Sequence, residues 1–367
     1  MVYFFPFCLV CISLIDIVAS LGSLDTDLSQ QLDILSEFPV RSLLDENVCG
    51  EEVWCKDSHK LQKRIYDWQN PGPEKCKTAK FLVHSPKNIG IGAMIHMTVD
   101  AMNIAMNTGR ILYFRKNVQL PWQSEGCKRE SLDCYFLPMT SCELDESKLN
   151  NIPSWNDQTW KGLVASGAPI ARLDFSKHGR PVGPALWCRH QGADGHLPAW
   201  FLEGIASKDA FLIEGVTMAQ FVRYMLRPQD WFRKSIKHRL HTAHRAHNMT
   251  LPKPFASVHV RYGDKAREAP RHSLSQYMSL LRTKRPDIKT VFVSTETESV
   301  ISDLRNGFPG YNFQYFKYHR IEAHASWAAT DKQEEFTMSI INLLVALHAD
   351  VSTTVISLCY MNGLTDC

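Results

Sequence analysis

A chain of 367 residues, 44% apolar and 22% charged, has the make-up of a globular protein with room for two ordinary domains, so disorder is not the default reading. Its 41 basic and 38 acidic side chains leave a formal net charge of +3, so it lacks the global basic field of a nucleic-acid binder. Any anion site has to be local.

The first element, residues 1–24, is apolar from Val2 to Leu24, a length that suits a signal anchor and also a cleavable signal peptide. Asp16 and Pro6 count against a membrane span. The lack of Lys or Arg before the apolar run counts against a standard signal peptide, while Val18-Ala19-Ser20 offers the small residues a peptidase needs. Both readings lead into the secretory pathway. Cysteine usage agrees: Cys49, Cys55, Cys76, Cys127, Cys134 and Cys142 crowd the early part of the chain and none stands in a C-x2-C pair. That favours disulfides over a zinc knuckle and leaves their connectivity open. Asn248-Met249-Thr250 is the one N-x-S/T sequon and marks Asn248 as a glycosylation acceptor.

Residues 25–70 read as a polar, partly helical stalk, with Leu61, Ile65 and Trp68 at helical spacing. A first folded domain, 71–250, opens with a strand at 80–85, a loop "PKNIGIG" at 86–92, an amphipathic helix from about Ala93 to Asn107, Gly109 as its stop, and a second strand "RILYF". Between 115 and 215 the Trp, Cys, Pro and Gly residues are scattered without periodicity, and no element is placed there. Residues 218–247 return to a helical pattern, interrupted at Pro228. From 251 to 367 the alternation is regular: strands at 255–260, 290–295, 311–316 and 351–358, with helices at 273–284, 297–306 and 332–348 between them. This spacing predicts a parallel, doubly wound, Rossmann-like sheet that binds its ligand at the carboxyl ends of its strands.

At one such end the strand "FASVHV" delivers Arg261, Asp264, Lys265, Arg267 and Glu268 within eight positions. Arg261 carries a planar fork that fits two phosphate oxygens and Lys265 adds a point charge, a combination suited to a diphosphate. Gly90 and Gly92 allow close backbone approach before a helix N-terminus, although a tight turn without ligand accounts for them equally well. Glu268 beside these cations has the chemistry of a general base, with a surface ion pair as its rival reading. His259, two before Arg261 on the same strand face, reaches the same cleft or is a buried histidine bonded to backbone. His238, His241, His244 and His247 recur every three residues; such a row drifts around a helix, so it reads as a solvated basic face rather than a metal comb.

The stretch "HVRYGDKAREAPRHSLSQYM" resembles the nucleotide-sugar motif of the α-1,6-fucosyltransferases that modify the innermost N-acetylglucosamine of N-glycans. "WQNPGPEKCKTAKFLV", "NIGIGAMIH" followed by "GRILYF", and "AQFVRYMLRPQDWF" agree with the same family in order and spacing, so the resemblance spans roughly residues 60–350. It implies a GT-B-like, α/β glycosyltransferase with an N-terminal open-sheet domain and a C-terminal Rossmann-like domain. The donor would be GDP-fucose and the acceptor an N-glycan or glycoprotein. By position, His259, Arg261 and Asp264 would bind the nucleotide-sugar with Gly90 and Gly92, Glu268 would be the base and Lys265 its partner. Glu296, Asn342 and Ser357 fall at nucleotide or acceptor contacts, and Cys76 matches a disulfide cysteine with Cys127 as its mate.

Two departures stand out: the second arginine usual after Arg261 is Tyr262, and the Lys265–Glu268 interval is one residue shorter than in the animal enzymes. The chain also stops at "SLCYMNGLTDC", so the expectation is a Rossmann-like domain without its closing helix. The only D-x-D match is Asp25-Thr26-Asp27, in the stalk, and the expected mechanism needs no metal or other cofactor. The expected location is the Golgi membrane with a lumenal catalytic domain, or secretion if the leader is cleaved. The rivals are a non-catalytic lumenal glycan-binding protein derived from such an enzyme, and a protein O-fucosyltransferase.

Overall fold

The computed structural model describes residues 53–85, 91–116, 132–156, 159, 161–174, 197–205, 220–247, 249, 251–262, 271–317, 332–347 and 349–353. The chain divides into two compact units, one of Pro39–Phe232 and one containing Arg233–Cys367. The division falls at 232/233, against a sequence expectation of 250/251.

In the first unit, α1 (Val53–Gln69) turns Ser58, Leu61, Gln62, Ile65 and Gln69 into the interior. These lie three and four residues apart, on one helical face. The expected stalk residues 57–69 are therefore a packed part of this unit. Gln69 ends the row: its amide donates to the carbonyls of Leu112 and Met139 (3.0 and 3.2 Å), and its Oε1 accepts from the Leu112 N–H (2.9 Å). The short α2 (Pro73–Thr78) starts at a proline after Gly72, whose φ of 89° few other residues tolerate.

Strand β1 (Phe81–His84), helix α3 (Ile91–Asn107) and strand β2 (Ile111–Phe114) form the expected β-α-β unit. Helix α3 begins two residues earlier than the sequence suggested, which puts Gly92 inside its first turn. It stops where expected: Gly109 has φ 62°, its N–H donates to Met106 O, and the Arg110 N–H donates to Ala105 O. That is a Schellman closure. Residues 115–215, left unassigned from sequence, supply β3 (Ser154–Trp155), α4 (Gly162–Ala165), β4 (Ile170–Leu173) and α5 (Ala199–Leu202). The four strands pair in parallel in the order β2-β1-β4-β3.

Helix α6 (Asp230–His247) follows, after a helical turn at 220–225 and a break at Pro228. The second unit then alternates as predicted: β5 (Phe255–Val260), α7 (Leu274–Lys284), β6 (Thr290–Thr295), α8 (Glu298–Gly307), β7 (Asn312–Gln314), α9 (Lys332–Leu347) and β8 (Val351–Thr353). Its strands are all parallel, in the order β7-β6-β5-β8. Strand β7 is shorter than the expected 311–316 because Phe316 leaves the ladder to pack edge-on against Phe292, with ring centroids 5.5 Å apart.

The two faces of β5 and β6 differ in kind. Ala256, Val258, Val260, Val291 and Val293 form an apolar face, packed by Tyr277, Met278 and Leu281 of α7 and by Val300, Ile301 and Leu304 of α8. The alternate residues Phe255, Ser257, His259, Phe292 and Ser294 lie on the other face. Helix α9 packs against these same two strands.

Candidate functional site at the carboxyl ends of β5 and β6

From β5 the chain moves outward to β6 and β7, then crosses back through α9 to place β8 on the other side of β5. The strand order therefore reverses at β5, and in open parallel sheets the crevice at such a reversal is where ligands bind. The beginning of β5 is held firmly: the Phe255 N–H donates to Asp350 Oδ2 (2.9 Å), the Asp350 N–H donates to Phe255 O (2.8 Å), and Lys253 Nζ lies 3.2 Å from the same carboxylate. With its start pinned and its centre buried, the strand delivers its last residues to a defined place.

Those residues pair in register with β6, His259 opposite Ser294 and Val260 opposite Thr295. Arg261 and Glu296 are the first residues after the two strands. Val260 and Thr295 are buried, His259, Ser294 and Glu296 are half-buried, and Arg261 is exposed. His259 Nδ1 lies 3.2 Å from Ser294 Oγ. Burial, reinforced by the positive charge of Arg261 and opposed by hydrogen bonding to the Ser294 backbone, lowers the imidazole pKa to about 4. The ring is neutral at physiological pH and acts there by hydrogen bonding rather than by charge.

Tyr262 anchors the next step of the chain. Its hydroxyl donates to His272 O at 2.5 Å, the Arg271 guanidinium sits 5.6 Å from its ring centre, and the ring packs on the apolar core. Burial raises the hydroxyl pKa. One residue further, Ser273 and Gln276 close α7 with a capping box: Ser273 Oγ accepts from the Gln276 N–H and Gln276 Oε1 accepts from the Ser273 N–H.

The expected site residues thus separate into three groups. His259, Arg261 and Glu296 are brought together at adjacent strand ends. Gly92 lies in the first unit and Asn342 on α9, where its buried amide donates to Met338 O one turn back (2.8 Å). Asp264, Lys265, Glu268, Gly90 and Ser357, with Asn248 and Cys127, lie outside the described residues. One assignment is corrected: Cys76 is bonded to Cys142, not Cys127, with Cα atoms 5.4 Å apart. The packing explains the partner, because Cys142 is buried in the small core of Phe81, Val83, Ile111 and Tyr113 against which Cys76 lies. Ser294 was not anticipated. The signal was available, since Ser294-Thr295-Glu296 repeats on β6 the polar-buried-charged order of His259-Val260-Arg261, but only pairing reveals it.

On α6, His238 and His241 line an open depression of about 450 Å³ with Lys234, Lys237 and Thr242. Among the described residues no group of three or more His, Cys, Asp and Glu is placed to hold a metal ion.

Residues 216–337 match the family described as the alpha-(1,6)-fucosyltransferase N- and catalytic domains. Among solved structures, the fucosyltransferase NodZ from Bradyrhizobium is similar at 13% identity and a TM-score of 0.43, over 75% of this chain and 87% of that one. NodZ α-1,6-fucosyltransferase soaked with GDP-fucose gives 13% and 0.43 over 75% and 88%. POFUT1 in complex with GDP-fucose gives 10% and 0.36 over 75% and 98%.

Proposed function

We propose, from the match of residues 216–337 to the α-1,6-fucosyltransferase family, that this chain transfers fucose from GDP-fucose to the innermost N-acetylglucosamine of an N-glycan in α-1,6 linkage. The observation that carries the reading is the pairing of His259 with Ser294, followed by Arg261 and Glu296, at the carboxyl ends of β5 and β6 where the sheet order reverses. A guanidinium there suits a diphosphate, and a neutral imidazole adds a hydrogen bond without adding charge.

In the reaction, Glu268 takes the proton from the acceptor hydroxyl. The freed oxygen attacks the anomeric carbon of fucose, and the bond from that carbon to the diphosphate oxygen breaks with its electron pair leaving on GDP. Arg261 and Lys265 stabilise the departing charge. Attack from the face opposite the leaving group turns a β-linked donor into an α-linked product. With side-chain cations in this role, turnover needs no divalent ion, and the work is done in the secretory pathway, where the N-terminal segment directs the chain.

Purified protein incubated with GDP-fucose and a truncated N-glycan tests the reading. GDP release with a fucosylated glycan, unchanged by chelator, is the expected result. GDP binding without release would mean a glycan-binding protein instead, transfer to a serine or threonine of a protein acceptor would mean an O-fucosyltransferase, and loss with EDTA rescued by Mn²⁺ would overturn the metal-free mechanism.

A further inference from the structure

Resting on that reading, we infer that Ser294 is a positioning residue whose hydroxyl holds the His259 imidazole in the tautomer protonated on Nε2. A neutral ring can then donate a hydrogen bond to an oxygen of the bound nucleoside diphosphate. His259 and Ser294 are register partners on neighbouring parallel strands, so the 3.2 Å contact between Nδ1 and Oγ is set by the backbone ladder. Ser294 has a single side-chain torsion to settle, and both residues are next to last in their strands.

A serine hydroxyl both donates and accepts. When it donates to Nδ1, the ring proton sits on Nε2 and the ring offers a donor. When it accepts from Nδ1–H, the ring offers a lone pair. A diphosphate oxygen only accepts, so the first arrangement gains a bond and the second sets two lone pairs against each other. An imidazolium would donate from both nitrogens and need no such help. Here burial and the neighbouring Arg261 keep the ring neutral, which leaves the tautomer as the remaining variable.

The test combines GDP titration calorimetry, nitrogen NMR of the His259 ring and thermal melting on the full chain, with Ser294→Ala and Ser294→Thr. Wild type should show the Nε2–H tautomer. Ser294→Ala should shift the ring toward a tautomer mixture and weaken GDP binding by about tenfold with its melting temperature kept, and Ser294→Thr, which retains the hydroxyl, should bind within about twofold of wild type. A purely structural cross-strand contact would instead lower melting and leave the ring signal and GDP affinity alone. Nδ1–H in the wild type, or unchanged affinity in Ser294→Ala, overturns the role of Ser294 while leaving the transferase reading standing. Should Ser294→Ala fail to fold, the wild-type ring signal and Ser294→Thr still decide. Failure of wild type to bind GDP at all sinks the transferase reading, and the role of Ser294 with it.

Discussion

The two sheets share a plan, four parallel strands each with the order reversing at an inner strand, yet the ends of their strands are occupied in opposite ways. At the carboxyl end of β2, Tyr113 donates to Glu146, the Lys116 N–H donates to the same Oε1, Lys116 Nζ pairs with Glu143, and Arg115 bonds Asn150. The polar groups there serve one another. At the carboxyl ends of β5 and β6 the exposed Arg261 follows the buried Val260, Glu296 follows the buried Thr295, and His259 Nδ1 lies 3.2 Å from Ser294 Oγ. The order reverses at β1 in the first sheet, one strand in from β2, and at β5 in the second, so only the second cluster stands at a reversal.

The contrast would break most visibly through the covalent tie, which belongs to the first unit. The Cys76–Cys142 bond closes a span of 66 residues, which chain-entropy reasoning values at about 4 kcal/mol. Cys142→Ser should therefore lower the melting transition of the first unit by that order and leave the second unit's transition in place; a joint shift of both would show that the units do not unfold separately. Next in size is Arg261→Lys, which keeps the charge and loses the fork. It should reduce kcat/KM by about 10²-fold or more, roughly 2.7 kcal/mol of transition-state stabilisation, with little change in melting. The matching change in the first sheet, Arg115→Lys, should stay within about twofold, and equal losses in the two would dissolve the distinction.

Acid sharpens it further. Because the His259 pKa is lowered to about 4 in the fold, the unfolded chain takes up the proton first, at about 6.5. The stability this neutral ring contributes is complete above about pH 6.5 and declines as pH falls toward 4. Denaturant melts should find wild type losing about 2 kcal/mol more than His259→Asn between pH 6.5 and 4.5. Equal slopes would place the imidazole in water. Smallest of all, Tyr113→Phe removes one hydrogen bond to Glu146 and should cost about 1 kcal/mol of stability at unchanged turnover. Lost turnover would give the first sheet's end a part in the chemistry.

How much of this was readable beforehand follows from what each element displays along the chain. Strands β5 and β6 and the helices between them announce themselves through runs of β-branched residues and three-four spacing, and the stop of α3 through Gly109. Strand β3 has two residues and α4 and α5 four each, too short to show any period. The helical pattern around Leu61 and Ile65 was visible, but not what covers it, so a packed helix passed for a spacer. At the candidate site, the position of His259 and Arg261 at a strand end was legible from the run of β-branched residues before them. Ser294 and the partner of Cys76 were not, because both are relations across space: a register between neighbouring strands, and a disulfide set by a shared core.

Among the described strands β2 is the outermost of its sheet, and such a strand ordinarily offers its backbone to any extended chain that drifts past. Gln69 occupies that offer at Leu112, taking both the N–H and the carbonyl with one side chain. The far edge, β3, is only two residues long, too short a template to recruit a partner. At protein concentrations where a bare edge would seed association between copies, neither described edge of this sheet presents a long open ladder. A glutamine that from sequence alone is one more polar residue at the end of a helix acts here as a guard against aggregation.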